Sequence, residues 1–250
     1  MSALAHERQD VKHQNLNIYN IMKKNVLITG ASGNLGKATV REFIKEGYNV
    51  IATVTPGKTL GFLTEGVHLY EADLTDENTV DAVVKKIIAD HTSLDAALLL
   101  VGAFAGGTIK NTDGALLRKM FSLNFDTAYL TARPVFQQML TQPQGGKIIF
   151  VGSRPALQAR EGKNTLAYAL SKSLIFKLAD FLNAEGSAKN VTASVIVPST
   201  IDTEANRKAM PDKDFTTWVK PEEIATSLAF LCSENGTPLR ETILRIYGRA

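Results

Sequence analysis

The sequence predicts an α/β fold, a doubly wound three-layer sandwich whose mostly parallel sheet belongs to a single domain. Three observations carry this expectation. Short runs that are apolar throughout alternate with longer stretches of helical periodicity, and strands without a polar face need helices on both sides. The first such run ends in a glycine-rich turn, "TGASGNLG" (residues 29–36), that leads directly into a helical stretch. No repeat, low-complexity linker or second domain divides the 250 residues, a length that one α/β domain accommodates. Right-handed crossovers between successive parallel strands then distribute the helices over both faces.

The elements follow in order. "NVLITG", from residue 25, reads as the first strand, followed by a helix near 34–46 and the strand "YNVIATV". "VHLYEADL" is the third strand and precedes the helical "DENTVDAVVKKIIADH". "LDAALLLVGA" leads into a long helix across about 113–140, where Pro134 lacks an amide hydrogen and is expected to introduce a kink. "GKIIFVGS", a helix around 165–185 and "VTASVIVP" come next, and a helix near 221–234 and the strand "ETILRIYG" close the chain. Residues 1–21 are polar, mixed in charge and without an apolar face. They read as an extension, mobile or laid on a partner subunit, with His6 and His13 solvated and Met22 as an alternative start. The dinucleotide-scale domain is then 22–250.

Composition excludes several classes. A net charge of +3 with scattered basic residues gives no stripe for nucleic acid. No apolar run reaches the ~18 residues of a membrane span, and the N-terminus lacks the apolar segment of a secretory signal. The single cysteine, Cys232, forms no internal disulfide and completes no metal motif. These features point to a cytoplasmic protein without a bound metal, in which Cys232 packs as a small apolar residue.

Two stretches suggest chemistry. In the turn, Gly30, Gly33 and Gly36 remove side chains where a dinucleotide pyrophosphate would approach the N–H groups of the following helix. The bland reading is an ordinary βα loop, and only the strand–turn–helix placement favours a nucleotide. "LAYALSK" sets Tyr168 and Lys172 four apart, on one helix face, where a cation would favour the phenolate. The same spacing recurs in "YNIMK" as Tyr19–Lys23, so spacing alone does not decide between a catalytic pair and coincidence.

The surroundings of Tyr168 decide it. "TGASGNLG", "ADL", "FSLNF", "IIFVGS", "LAYALSK" and "VPSTIDT" occur in the order and context of the short-chain dehydrogenase/reductase family, which the chain resembles over residues 25–248. The resemblance implies a Rossmann fold with Asn124, Ser153, Tyr168 and Lys172 as catalytic residues. It implies cofactor contacts from Gly30, Ser32, Gly33, Asn34, Leu35, Gly36, Thr55, Asp73, Leu74, Gly102, Tyr168, Lys172, Pro198 and Thr203. The chain departs from the family pattern in four places. Asn34 replaces the middle glycine, "LLLVGA" replaces N-N-A-G, and Ser199 replaces a glycine. Ser153 stands fifteen residues before Tyr168 rather than the family's about twelve or thirteen. "VGAFAGG", "PSTIDTEANRKAMP" and "DFTTW" resemble, more narrowly, the dihydropteridine reductases, a branch that lacks the catalytic serine and the helix asparagine.

The implied activity is hydride transfer between a nicotinamide cofactor and a small carbonyl or alcohol. In it Tyr168 is the acid/base, Lys172 lowers the tyrosine pKa and holds the ribose, and Ser153 donates to the substrate oxygen. Asn124 would hold a water linking Lys172 to solvent. The alternatives are activity on quinonoid dihydropteridines and a non-catalytic NADP-binding sensor. The end of the second strand, "VIATVTPGK", offers Val54 and Thr55 with Lys58 nearby and no acid to repel a 2′-phosphate, so NADP is the expected cofactor and NAD the second choice. Lys58 reads equally as a solvated loop residue. The segment "IDTEANRKAMPDKDFTTW" is expected to close over the site. Phe104, Arg154, Phe215 and Trp218 are pocket candidates, although Phe215 and Trp218 fit plain packing as well and Arg154 fits surface exposure better. Family members pair the helices here at about 113–140 and 165–185, implying a homodimer or homotetramer.

Overall fold

The computed structural model describes residues 23–62 and 65–249. The expected extension at 1–21, with His6, His13 and Tyr19, lies outside the described residues. The chain runs β1 (Asn25–Thr29), α1 (Asn34–Lys45), β2 (Asn49–Val54), β3 (Val67–Glu71), α2 (Glu77–His91), β4 (Ala96–Leu99) and α3 (Gly114–Phe121). It continues through α4 (Thr127–Thr141), β5 (Gly146–Val151), two single-turn helices α5 (Arg154–Leu157) and α6 (Ala159–Gly162), and α7 (Leu166–Gly186). β6 (Val191–Pro198), α8 (Glu204–Ala209), α9 (Pro221–Cys232) and β7 (Ile243–Ile246) complete it.

The seven strands form one sheet in the order β3-β2-β1-β4-β5-β6-β7, and every pairing is parallel. Period-two alternation sends Leu27 and Ile51 into one core with residues of α2, α4 and α7. Val26, Ile28, Val50 and Ala52 enter the other, with residues of α1 and α9. Each large apolar side chain buried in these two cores contributes roughly 1.5–3 kcal/mol. Cys232 sits in the second core, where burial pushes its thiol up to about 12, so it is inert packing as its context suggested.

One element differs from expectation. The long helix is not broken at Pro134, which lies within α4. It is interrupted by a π-helical turn, Ser122–Asp126, that joins α3 to α4 and carries Asn124. Such a turn inserts an extra residue and redirects a side chain. Among the described residues no helix is long and apolar enough to cross a membrane, and no His/Cys/Asp/Glu group could hold a metal ion.

Candidate active site

The sheet order reverses between β1 and β4, and the chain ends of these strands leave a crevice at the switch point. β1 opens into the glycine turn there. Gly30 adopts φ +64°, a left-handed conformation that side chains disfavour. Gly36 is inside α1, yet a Cβ on it would collide with the Gly30 carbonyl oxygen and stand 2.7 Å from Ala31 Cα. The turn therefore folds back on the helix it starts. Gly33 is the N-cap of α1 and supplies no side-chain cap, which leaves the first N–H groups of the helix for an anion. Ser32 is half-buried in the turn, while Gly33 and Asn34 are exposed. This uncapped, glycine-rich cradle fits a dinucleotide pyrophosphate.

The neighbouring strand ends continue that surface. Thr55 and Lys58 are exposed in a turn closed by a 2.9 Å bond from Lys58 N–H to the Thr55 carbonyl. Beyond β3, Leu74 is buried and Asp73 is exposed. The Asp73 carboxylate accepts from Thr75 Oγ1 at 2.7 Å and Thr75 N at 3.0 Å. Those bonds hold its pKa below the ordinary carboxylate value. After β4, a Cβ on Gly102 would approach Asn124 Oδ1 to 2.9 Å and Lys172 Nζ to 3.0 Å. Only glycine lets the backbone pass between those two groups.

Next to the crevice lies a cavity of about 710 Å³. Leu35, Gly102, Ser153, Tyr168, Lys172 and Pro198, all expected at the site, line it together. Ser153 follows β5, is 3% exposed, and accepts from Ala156 N at 3.3 Å as the N-cap of α5. Tyr168 and Lys172 stand one turn apart on α7. Burial raises the Tyr168 pKa, and the neighbouring Ser153 hydroxyl acts in the opposite sense. Lys172 is 5% exposed, donates to the Val151 carbonyl at 2.8 Å, and is pushed by desolvation down to about 8.

The expected lowering of the tyrosine pKa by Lys172 is therefore not what sets the phenol here. The ammonium is turned to Val151, and burial of the ring dominates. Asn124 sits behind the cavity wall, fully buried. Its Oδ1 accepts from Ala103 N at 2.8 Å and its Nδ2 donates to Ser171 Oγ at 3.0 Å, while Ser171 Oγ donates to the Tyr168 carbonyl at 2.9 Å. The asparagine thus ties the loop after β4 to the first turn of α7.

The segment after β6 covers one side of the cavity. Thr203 caps α8, accepting from Asn206 N at 3.2 Å. Arg207 is paired with Asp202 at 2.6 Å and lies 4.9 Å over the Phe215 ring. Phe215 packs against the buried Trp218 with ring centroids 4.8 Å apart. Neither aromatic reaches the cavity, so both are packing residues that brace the segment. Phe104 does line it, 68% exposed and edge-on to Tyr168 at 5.1 Å. Arg154 is not the surface residue it resembled: its side chain is 29% exposed, lines the cavity and pairs with Glu161. Glu161, Asn206 and Met210 also line the cavity, and Ser171 anchors Asn124. Nothing in the local sequence of these four marks them, because each reaches the site through tertiary packing.

A strand-end crevice with a glycine cradle, beside a cavity holding a tyrosine, a lysine and a serine, defines a nucleotide-dependent oxidoreductase site. The chain belongs to the short chain dehydrogenase family, whose model matches residues 24–214. It is an NAD(P)-dependent oxidoreductase. It is 26% identical over 243 residues to the acetoacetyl-CoA reductase of Acinetobacter sp. (strain RA3849), covering 90% of this chain and 97% of that protein. It is 27% identical over 212 residues to the dihydropteridine reductase of Dictyostelium discoideum, covering 83% and 87%. Its fold matches that of ElxO with NADP bound at a TM-score of 0.81, with 24% identity, covering 91% of this chain and 98% of that one.

Proposed function

We propose that the protein reduces the carbonyl of a small molecule, or oxidises the corresponding alcohol, with Tyr168 as the acid–base group and NADP as the preferred cofactor. The observation that carries this reading is the convergence of Ser153, Tyr168 and Lys172 on one cavity wall beside Gly102. The bound nicotinamide would supply or accept the hydride. The glycine turn and the α1 N-terminus would hold the pyrophosphate, Asp73 and Leu74 would flank the adenine, and Lys172 would hold the nicotinamide ribose. β2 itself ends without an acid, and Thr55 and Lys58 favour the 2′-phosphate against the Glu71 carboxylate, which accepts from Gly57 N at 3.1 Å. Tighter binding of NADPH than NADH is the check on that preference.

In the reductive direction Tyr168 donates its phenolic proton to the oxygen that becomes the alcohol. Its raised pKa keeps that proton in place at neutral pH. Ser153 Oγ donates a hydrogen bond to the same oxygen as negative charge builds on it. Lys172, with a pKa near 8, keeps most of its charge at neutral pH and loses it just above. Asn124 fixes the loop carrying Gly102 and Ala103 against α7, which holds the tyrosine and the lysine at their mutual distance.

Steady-state oxidation of NADPH over a panel of ketones and aldehydes tests the reading. Ser153→Ala should lower turnover by about 10²-fold, the expected loss of one oxyanion donor. A second reading, reduction of quinonoid dihydropteridines, is favoured by the likeness to the Dictyostelium enzyme. Near-normal turnover of Ser153→Ala on a pterin, with no activity on carbonyl compounds, would establish it instead. The exposed Tyr129 of α4 and Leu170 and Phe181 of α7 support self-association through these helices. A dimer or tetramer by light scattering is the expected result, and a monomer at micromolar concentration would contradict it.

A further inference from the structure

Besides Lys172, the charged side chains lining the cavity are Arg154 and Glu161, and they are bound to each other. Arg154 Nη2 lies 2.7 Å from Glu161 Oε1. The guanidinium also sits 5.0 Å over the Tyr247 ring. The backbone carbonyl of Tyr247 in turn accepts from Ser199 Oγ at 2.8 Å. The pair is thus held from two sides, by its own ion pair and by the ring. Arg154 Nε and the Tyr247 hydroxyl are buried without a hydrogen-bond partner among the described residues. Glu161 comes to the cavity because the fourteen residues between Ser153 and Tyr168 fold into α5 and α6. Gly162 at the end of α6 packs so tightly that a Cβ there would stand 2.8 Å from the Pro155 carbonyl oxygen.

An unpaired guanidinium in such a wall would be an anion receptor. The carboxylate beside it changes what the wall selects. An incoming carboxylate would be repelled by Glu161 as it is attracted by Arg154, and it would have to displace an existing ion pair. With Nε buried, what the pair still offers is an edge of remaining Nη N–H groups next to carboxylate lone pairs, with no net charge. A hydrogen-bond acceptor next to a donor, as in an amide, lactam or cyclic urea, is complementary to that edge. Arg154 directly follows Ser153, so the edge would meet the part of the substrate adjacent to the reacting oxygen.

Resting on the carbonyl-reducing reading above, we propose that Arg154 and Glu161 form a specificity subsite. It accepts an uncharged amide-like edge next to the reacting carbonyl and rejects a free carboxylate at the same place. Three probes that share one methyl ketone test this: acetoacetamide, acetoacetate and pentan-2-one. Their binding to NADPH-loaded Tyr168→Phe protein is measured by NMR titration, so that ranking is read without turnover. Acetoacetamide should bind ~10-fold more tightly than either of the others, because both leave the paired donor and acceptor unmatched. In the same background Glu161→Gln should improve acetoacetate ~10-fold relative to acetoacetamide, since it removes the repelling charge while keeping the shape. Arg154→Met should bring acetoacetamide down to the level of pentan-2-one. If Arg154→Met fails to fold, the isosteric Glu161→Gln carries the test alone. Acetoacetate binding as tightly as acetoacetamide, acetoacetamide binding no more tightly than pentan-2-one, or a ranking unchanged by Glu161→Gln would each overturn the proposal. Turnover by the unmodified enzyme separates the two levels. Failure to reduce any carbonyl compound, with the binding ranking intact, would count against the carbonyl reading and leave the subsite standing.

Discussion

The two sides of the sheet build their parts of the site from different material. On the β1–β3 side the cradle is backbone: a left-handed Gly30, a Gly36 that admits no Cβ, and a helix start without a side-chain cap. On the β4–β7 side the cavity is made of side chains from separate elements. Ser153 comes from the end of β5, Tyr168 and Lys172 from α7, Glu161 from α6 and Met210 from the segment after α8. The difference has a physical reason. A pyrophosphate is bound through N–H groups that every residue has, so the sequence need only remove side chains. Moving a proton needs particular functional groups, so the sequence must supply them and bury them at some cost.

That contrast predicts different responses to substitution. The largest effect belongs to Gly36→Ala, because the added methyl meets the Gly30 carbonyl and Ala31 backbone, neither of which is a flexible side chain. Its overpacking cost of roughly 1–3 kcal/mol exceeds the ~1 kcal/mol gained in helix propensity. NADPH affinity should fall at least ~10²-fold as the cradle is displaced, checked by calorimetric titration. Normal NADPH binding by Gly36→Ala would break the claim that this half is built from backbone.

Lys172→Met should show the opposite balance. Desolvation lowers the lysine to about 8, so keeping its charge at neutral pH opposes folding by on the order of 3 kcal/mol. Loss of the bond to the Val151 carbonyl returns about 1–2 kcal/mol of that. The variant should therefore melt higher than the parent at pH 7 while losing turnover. Because the folded lysine binds fewer protons than the unfolded one between about 8 and 10.5, the difference should shrink as pH rises through that window. A variant that melts lower at every pH would contradict this balance between desolvation and the bond to Val151.

The smallest effect lies at the outer edge of the first half, away from the cavity. His91 at the end of α2 packs edge-on against His68 at 4.4 Å, and its Nε2 lies 3.0 Å from Tyr70 Oη, whose proton is donated to Asp90 at 2.7 Å. Desolvation, with His68 adding to it, lowers the His91 pKa below 6.5. The folded state then binds fewer protons there than the unfolded one. Stability from this group is complete above about 6.5 and declines as pH falls from there toward the folded value. A melting temperature that drops by a few degrees between pH 7 and pH 5, and less so in His91→Gln, is the expected outcome. NADPH affinity should be unaffected by that substitution.

The same contrast governs how much of the molecule was legible in its sequence. Uniformly apolar strands and the spacing of Gly30, Gly33 and Gly36 are local signals, and the sheet and the cradle were read from them. Tyr168 and Lys172 are one helical turn apart, so their shared place on the wall of one cavity was legible from the local sequence. The π-turn was missed because Pro134 is the visible irregularity in that helix. The π-turn instead accompanies bonds from Asn124 to Ala103 and Ser171, partners distant in sequence. Arg154 was misjudged for the same reason. Its burial depends on Glu161 and Tyr247, seven and ninety-three residues away in the chain. The phenol's environment was misread too, since no pattern of residues reveals that Lys172 turns to Val151.

The proposed division between a backbone-built binding half and a side-chain-built chemical half is tested most directly at Tyr168. Replacing it with phenylalanine removes one hydroxyl from the cavity and touches nothing in the glycine cradle. NADPH affinity and the single-turnover rate of NADPH oxidation with a ketone should be measured on the same Tyr168→Phe preparation. The affinity should stay within about twofold of the parent and the rate should fall by at least ~10²-fold, the loss expected for a positioned acid. A rate close to the parent's, or an affinity that falls together with the rate, would contradict it.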